Sequence, residues 1–171
     1  KISKLTGLQL GNFEVTDLVV HPKSGAAYLA VTSQKKTGMT TYLIRANKKG
    51  NMRLFDFDGS QKTSINITSP ASQDIKFWRK SSARSFSITD LDFHEGKLYI
   101  SGLTNEDFSS SLRIADYPFN GKMNLSRVEM FHTVHLQKET RAPIRAMAIS
   151  NIKGQSHIFA AYTCTPLVSI P

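Results

Sequence analysis

One stretch of this sequence is written twice. VTDLVVHPKSGAAYLAV, starting at Val15, aligns with ITDLDFHEGKLYISG, starting at Ile88, so that Thr16 matches Thr89, Asp17 matches Asp90, Leu18 matches Leu91, His21 matches His94 and Tyr28 matches Tyr99. Downstream, YLIRANKKGNMRLF from Tyr42 matches SLRIADYPFNGKMNLSRVEMF from Ser111, each with a polar turn holding Gly50 or Gly121 before a last apolar run. A weaker third copy, PIRAMAISNIKGQSHIFAAYT, starts at Pro143, carries Phe159 in the aromatic position, and is followed by an apolar stretch from Leu167 to Ile170. Recurrence at this scale marks a supersecondary unit that buries its faces against the next copy rather than around a core of its own.

The period inside each copy is that of strands. Apolar residues alternate or cluster in short runs bounded by turn residues, and nowhere do they hold the i, i+3, i+4, i+7 spacing of a helix across three turns. Val15 to Val20, Ala26 to Val31, Tyr42 to Ala46 and Met52 to Phe57 read as strands, separated by HPKSG (21–25) and KKGN (48–51). Strands joined by such tight turns make an antiparallel meander. Lys4 to Leu10 reads as the outer strand of a preceding meander, and 64–85 as an insertion in the first copy.

Repeated four-stranded units of this length point to an all-β fold of β-propeller blades. The expected layout is one propeller portion over 1–171, with blade units at 15–68, 88–135 and an incomplete 144–171. That is about two and a half blades, where a closed ring takes about four to eight. Two large apolar blade faces would stand in water, so the expectation is a portion of a larger ring, completed by further chain or by other chains. A twisted sandwich or an open barrel of ten or so strands is the structural alternative.

Composition narrows the chemistry. With Cys164 alone, an internal disulfide, a four-cysteine zinc site and a redox CxxC are all excluded, and its setting in AAYTCTPLV reads as that of a buried small hydrophobe. No apolar run reaches the length of a spanning helix. The 22 Lys and Arg against 13 Asp and Glu leave a formal net charge of +9. The cations come as pairs, Lys35-Lys36 and Lys48-Lys49, with one denser stretch at Lys76, Arg79, Lys80 and Arg84, rather than as an arm or a helix face. This reads as a solvated basic surface, and no nucleic-acid partner is expected.

Three stretches, ARSFSITDLDFHEGKLYISGLTNEDFSSSLR (83–113), ETRAPIR (139–145) and GQSHIFAAYTCTPLVSIP (154–171), resemble a family of bacterial extracytoplasmic β-propeller proteins with no assigned chemistry. The resemblance covers most of the chain from Val15 on. It implies a propeller fold, a chain continuing into further blades and a periplasmic or secreted location. It carries over no catalytic residue.

Asp17 with His21, and Asp90 with His94, bracket the first strand of successive copies, the strand that would line a propeller channel. Such carboxylates and imidazoles suit a divalent metal ion. Thr-Asp and His at blade turns equally suit hydrogen bonds to backbone, and Arg145-Ala146 replaces Thr-Asp in the third copy. His132, His135 and Glu139 would chelate a metal if their segment were helical, whereas Glu139 and Arg145 could instead brace a blade junction. Asn105, Glu106 and Asp107 read as a solvated turn, lacking the DxDxDG pattern of a calcium loop. Phe77 and Trp78 beside Lys76, Arg79 and Lys80 interleave aromatic and basic residues, a mixture suited to a partner surface at Phe77, Trp78, Arg79 and Lys80 or to plugging a groove between blades.

No nucleophile elbow, phosphate loop or haem-attachment motif appears. The functional expectation is an extracytoplasmic binding or scaffolding module whose partner is a protein or the remaining blades. The alternative is a metal-dependent hydrolase or dehydrogenase with its site on the propeller axis, completed by other blades.

Overall fold

The computed structural model describes residues 1–35, 38–77, 80–105, 109–133, 136–139, 141–164 and 167–171, with backbone only for Gln34, Lys35, Met130 and Glu139. Trp78, Arg79, Glu106, Asp107 and His135 lie outside the described residues. The chain is all-β, 52% strand, and divides into two compact units, Lys1–Lys62 and Thr63–Pro171. Its sheets are antiparallel and open, and among the described residues they form no closed ring.

The first unit holds a short helix, α1 (Ile2–Thr6), and the meander β1 (Glu14–Val20), β2 (Ala27–Lys35), β3 (Gly38–Ala46) and β4 (Met52–Leu54), hydrogen-bonded in that order. Val31 and Ile44, on the central strands, are fully buried. The turn after β1 is tied by His21, whose Nδ1 accepts the Ser24 N–H at 3.1 Å. The turn after β3 is tied by Asn47, whose Oδ1 accepts the N–H groups of Lys49 and Asn51, both at 3.0 Å, with Gly50 supplying a φ of 74°. The strand expected over Lys4 to Leu10 is not formed. Lys4 and Leu5 N–H donate to Lys1 C=O, the Thr6 hydroxyl to Ile2 C=O, and Gly7 closes the turn with φ 71°. These local bonds satisfy the backbone without a strand partner, and a left-handed glycine ends the turn.

The second unit begins with the insertion: β5 (Lys76–Phe77) paired with β6 (Ser81–Ser82), then a 3₁₀ turn over Ala83–Phe86. Phe77 and Phe86 meet edge to face at 4.8 Å and pack on buried Ala71, Ala83 and Leu103. A second meander follows, β7 (Asp90–His94), β8 (Lys97–Leu103), β9 (Ser110–Asp116) and β10 (Asn124–Arg127), again in sequential order. A two-stranded hairpin, β11 (Met130–His132) and β12 (Gln137–Glu139), leads to a three-stranded sheet of β13 (Ile144–Ile152), β14 (Gln155–Tyr162) and β15 (Leu167–Ile170). Ile144, Ala160 and Tyr162 are its buried centre.

Register places aligned residues alike. β1 slips between Val15 and Asp17 and β13 between Ile144 and Ala146, so Thr16 and Arg145, one aligned position, each stand out of the pairing as a bulge. Tyr28 faces Val19, Tyr99 faces Asp92 and Phe159 faces Ala148, again one aligned set.

Candidate functional site: the first strands and their carboxylates

A strand at the edge of a sheet leaves half of its N–H groups without a ladder partner. Here side-chain carboxylates take them. Asp17 Oδ1 accepts the Leu18 N–H at 2.8 Å, Asp90 Oδ1 the Leu91 N–H at 2.9 Å and Asp92 Oδ1 the Phe93 N–H at 2.8 Å. The period of two puts Asp90, Asp92 and His94 on one face of β7, where they are half-buried, while Leu91 and Phe93 on the other are exposed.

That half-buried face meets β13, which runs beside β7 in the same direction. Asp90 Oδ2 accepts the Met147 N–H at 2.6 Å, and Asp92 Oδ2 accepts the Ile149 N–H at 2.7 Å. Each carboxylate thus bridges two backbone N–H groups, one from its own strand and one from the first strand of the next sheet. Charge-assisted bonds of this kind are among the stronger hydrogen bonds in proteins. Beyond them, Asn151 Nδ2 donates to Glu95 Oε1 at 3.3 Å, and Ser156 Oγ lies 3.4 Å from His94 Nε2. At the near end the Thr89 hydroxyl donates to Ile144 C=O. Ala146 and Ala148 stand on β13 where β7 has Asp90 and Asp92, so β13 carries no such clamp of its own.

In the first unit the same motif stands open. All seven residues of β1 are exposed, and Asp17 Oδ2 has no hydrogen bond among the described residues. His21 is spent on its own turn.

Among the described residues, no three His, Cys, Asp or Glu side chains converge as a metal would need. Asp17 and His21 belong to the first unit, Asp90 and His94 to the second. His132 is buried on β11 and faces Gln137 across the hairpin, while Glu139 faces Met130. Met130–His132 and Gln137–Glu139 pair as strands, so His132 and Glu139 do not share a helix; His135 and the Glu139 side chain lie outside what is described. Arg145 lies over the Phe86 ring, 5.7 Å from its centroid, a cation–π contact. Of the aromatic and basic stretch, Phe77 is spent on the core and Lys80 is exposed with φ 67°. Asn105 is exposed, and Cys164 is half-exposed rather than buried, because β14 ends at Tyr162 and leaves it in the bend beyond.

Three residues that the sequence reading passed over hold the second unit together. Asp92 repeats the clamp of Asp90. Arg113 is fully buried on β9 and donates to four backbone carbonyls: Nε to Thr68 at 3.0 Å, Nη1 to Ser87 at 3.2 Å, and Nη2 to Ser69 at 3.2 Å and Leu103 at 3.0 Å. Burial lowers its pKa from the ordinary value. A Cβ on Gly102 would sit 2.2 Å from the Ser87 carbonyl oxygen, so only glycine lets the backbone at Phe86 and Ser87 lie this close to β8. The signal was a Gly and an Arg at the positions where the first copy has the apolar Val31 and Ile44.

No protein-family model, curated protein or solved structure matches the chain.

Proposed function

We propose that this chain is a portion of a β-propeller that acts outside the cytoplasm as a binding or scaffolding module, holding a protein partner or further blades. The observation that carries the reading is the seam between β7 and β13, where one meander caps the free strand edge of the next through Asp90 and Asp92. Meanders set side by side with their first strands adjacent fit the packing of propeller blades, and the alignment of β1 with β7 supports extending that reading to the first unit. The sequence resemblance to extracytoplasmic propeller proteins supports the export route. No helix among the described residues is long and apolar enough to cross a membrane.

An experimental structure of the protein in its cellular form tests the architecture: first strands equivalent to β1, β7 and β13 should superpose around one axis. Two sheets stacked face to face would overturn it. Metal analysis of natively purified protein tests the role. A scaffold holds no stoichiometric metal, and a metal that is lost on Asp90→Ala would replace this reading with that of an axial metalloenzyme. Fractionation of the producing cells should find the protein outside the cytoplasm.

A further inference from the structure

The first unit holds most of the net positive charge: within 1–62 stand ten Lys and Arg and four Asp and Glu. Three of those four acids are committed elsewhere. Asp58 pairs with Lys62 at 3.3 Å, Asp56 Oδ1 accepts the N–H groups of Asp58 and Gly59, and Asp17 caps Leu18. At the corner between β3 and β4, by contrast, cations gather without acids.

Arg45 and Arg53 are direct register partners across β3 and β4, so both side chains leave the same face of the sheet. Like charges placed directly opposite on neighbouring strands destabilise a sheet. Neither guanidinium forms an ion pair or hydrogen bond with any described residue. The second meander shows the usual solutions. The aligned row Tyr99, Ile114 and Asn124 carries no charge, and its cross-strand charged pair, Lys97 with Asp116, is of opposite sign at 2.6 Å.

Two clefts meet at this corner. One, of about 220 Å³, is lined by Arg45, Asn47, Asn51, Met52 and Arg53; the other, of about 330 Å³, is lined by Lys1, Lys4, Leu5, Gly50, Asn51 and Met52. They share Asn51 and Met52. The Asn47 side-chain oxygen is held by two backbone N–H groups, which leaves its amide nitrogen as a donor. Apart from Asn51, the polar side chains of both clefts therefore offer donors and positive charge.

We propose that this corner binds a tetrahedral oxyanion, a phosphoryl or sulfuryl group, gripped between Arg45 and Arg53. A guanidinium fork matches two oxygens of such a group, and an anion between the two converts a repulsive pair into two attractive ones. The adjoining cleft with Lys1 and Lys4 accepts a second charged group, so an oligophosphate binds more tightly than a single phosphate.

Inorganic phosphate and tripolyphosphate, each titrated against chloride at matched ionic strength, test this by calorimetry and thermal unfolding. Saturable binding with a raised Tm, tighter for tripolyphosphate, and an affinity loss of about tenfold or more in Arg53→Gln are expected. Without any oxyanion, Arg53→Gln should melt above the parent chain, because the repulsion is gone; a residue that merely braced the sheet would move Tm down. Lys62→Gln, outside both clefts, should bind as the parent does. Vesicles of phosphatidylglycerol against phosphatidylcholine separate a lipid headgroup from a soluble phosphate: binding that tripolyphosphate displaces assigns the headgroup to the same site. No saturable binding of phosphate or tripolyphosphate, equal binding by Arg53→Gln, or a lowered Tm of that variant in oxyanion-free buffer would overturn the proposal.

Discussion

The sheet β1–β4 and the sheet β7–β10 follow one strand order and share an aligned pattern, yet they keep different surfaces from water. In the first, β1 is exposed along its whole length; in the second, alternate residues of β7 are half-buried because β13 lies against them. In the first, two apolar side chains, Val31 and Ile44, fill the centre. In the second, the same two positions are Gly102 and Arg113, because the backbone of 68–69 and 86–87 lies there and needs hydrogen-bond donors and room instead of hydrocarbon. One meander grammar thus tolerates opposite central chemistry, and what decides between them is the segment that covers the sheet.

The largest effect should come from the centre. Arg113→Met keeps much of the length but leaves four carbonyls without their donors, and should cost about 3 kcal/mol or more, whereas Ile44→Met at the aligned position should cost less than about 1.5 kcal/mol. Urea unfolding measures both, and similar losses would break the contrast. Gly102→Ala should follow, at about 1–3 kcal/mol, since the added methyl meets fixed backbone. Hydrogen exchange should quicken at Ala71, whose N–H donates to Ser87 Oγ at 3.0 Å.

The clamp comes next. Asp90→Asn removes one of two acceptors and should cost about 1–2 kcal/mol, with faster exchange of the Met147 amide. Asp17→Asn, whose second oxygen has no described partner, should stay within about 0.5 kcal/mol. Equal losses at the two sites would mean that Asp17 is already engaged in solution.

The smallest effect concerns Tyr162, whose hydroxyl is buried with no hydrogen-bond partner among the described residues and whose pKa burial pushes up to about 12. The unfolded phenol ionises near about 10, so the folded chain holds this proton more tightly. The resulting stability is fully present below pH 10 and is lost as pH rises through about 12. Tyr162→Phe should remove that alkaline step from the unfolding profile and shift stability at neutral pH by about 1 kcal/mol or less.

Much of the meander was legible because a strand pattern is local. The alternation around Asp90, Asp92 and His94, and the turns at HPKSG and KKGN, fix strands and their order through side-chain period and tight-turn geometry. The N-terminal segment misled for the same reason: Lys4 to Leu10 is compatible with a strand, but Ile2–Thr6, closed by Gly7, satisfies its hydrogen bonds as a helical turn. The hairpin β11–β12 leaves no alternation to read in the sequence, its strands being only three residues each. The aspartates were visible as a repeated motif, but not the use of their second oxygen, which depends on a strand 57 residues away.

The sequence by itself determined which residues alternate, where the chain turns, and that the first and second meanders obey one pattern, since all of these follow from interactions a few residues apart. Only the tertiary structure decided that Asp90 and Asp92 clamp a neighbouring strand, that Arg113 holds the carbonyls of Thr68 and Ser69 while Gly102 makes room for Ser87, and that Arg45 faces Arg53. Each of these depends on which distant backbone comes within about 3 Å of a given atom, and hydrogen bonds and charges act at that range whatever the separation along the chain.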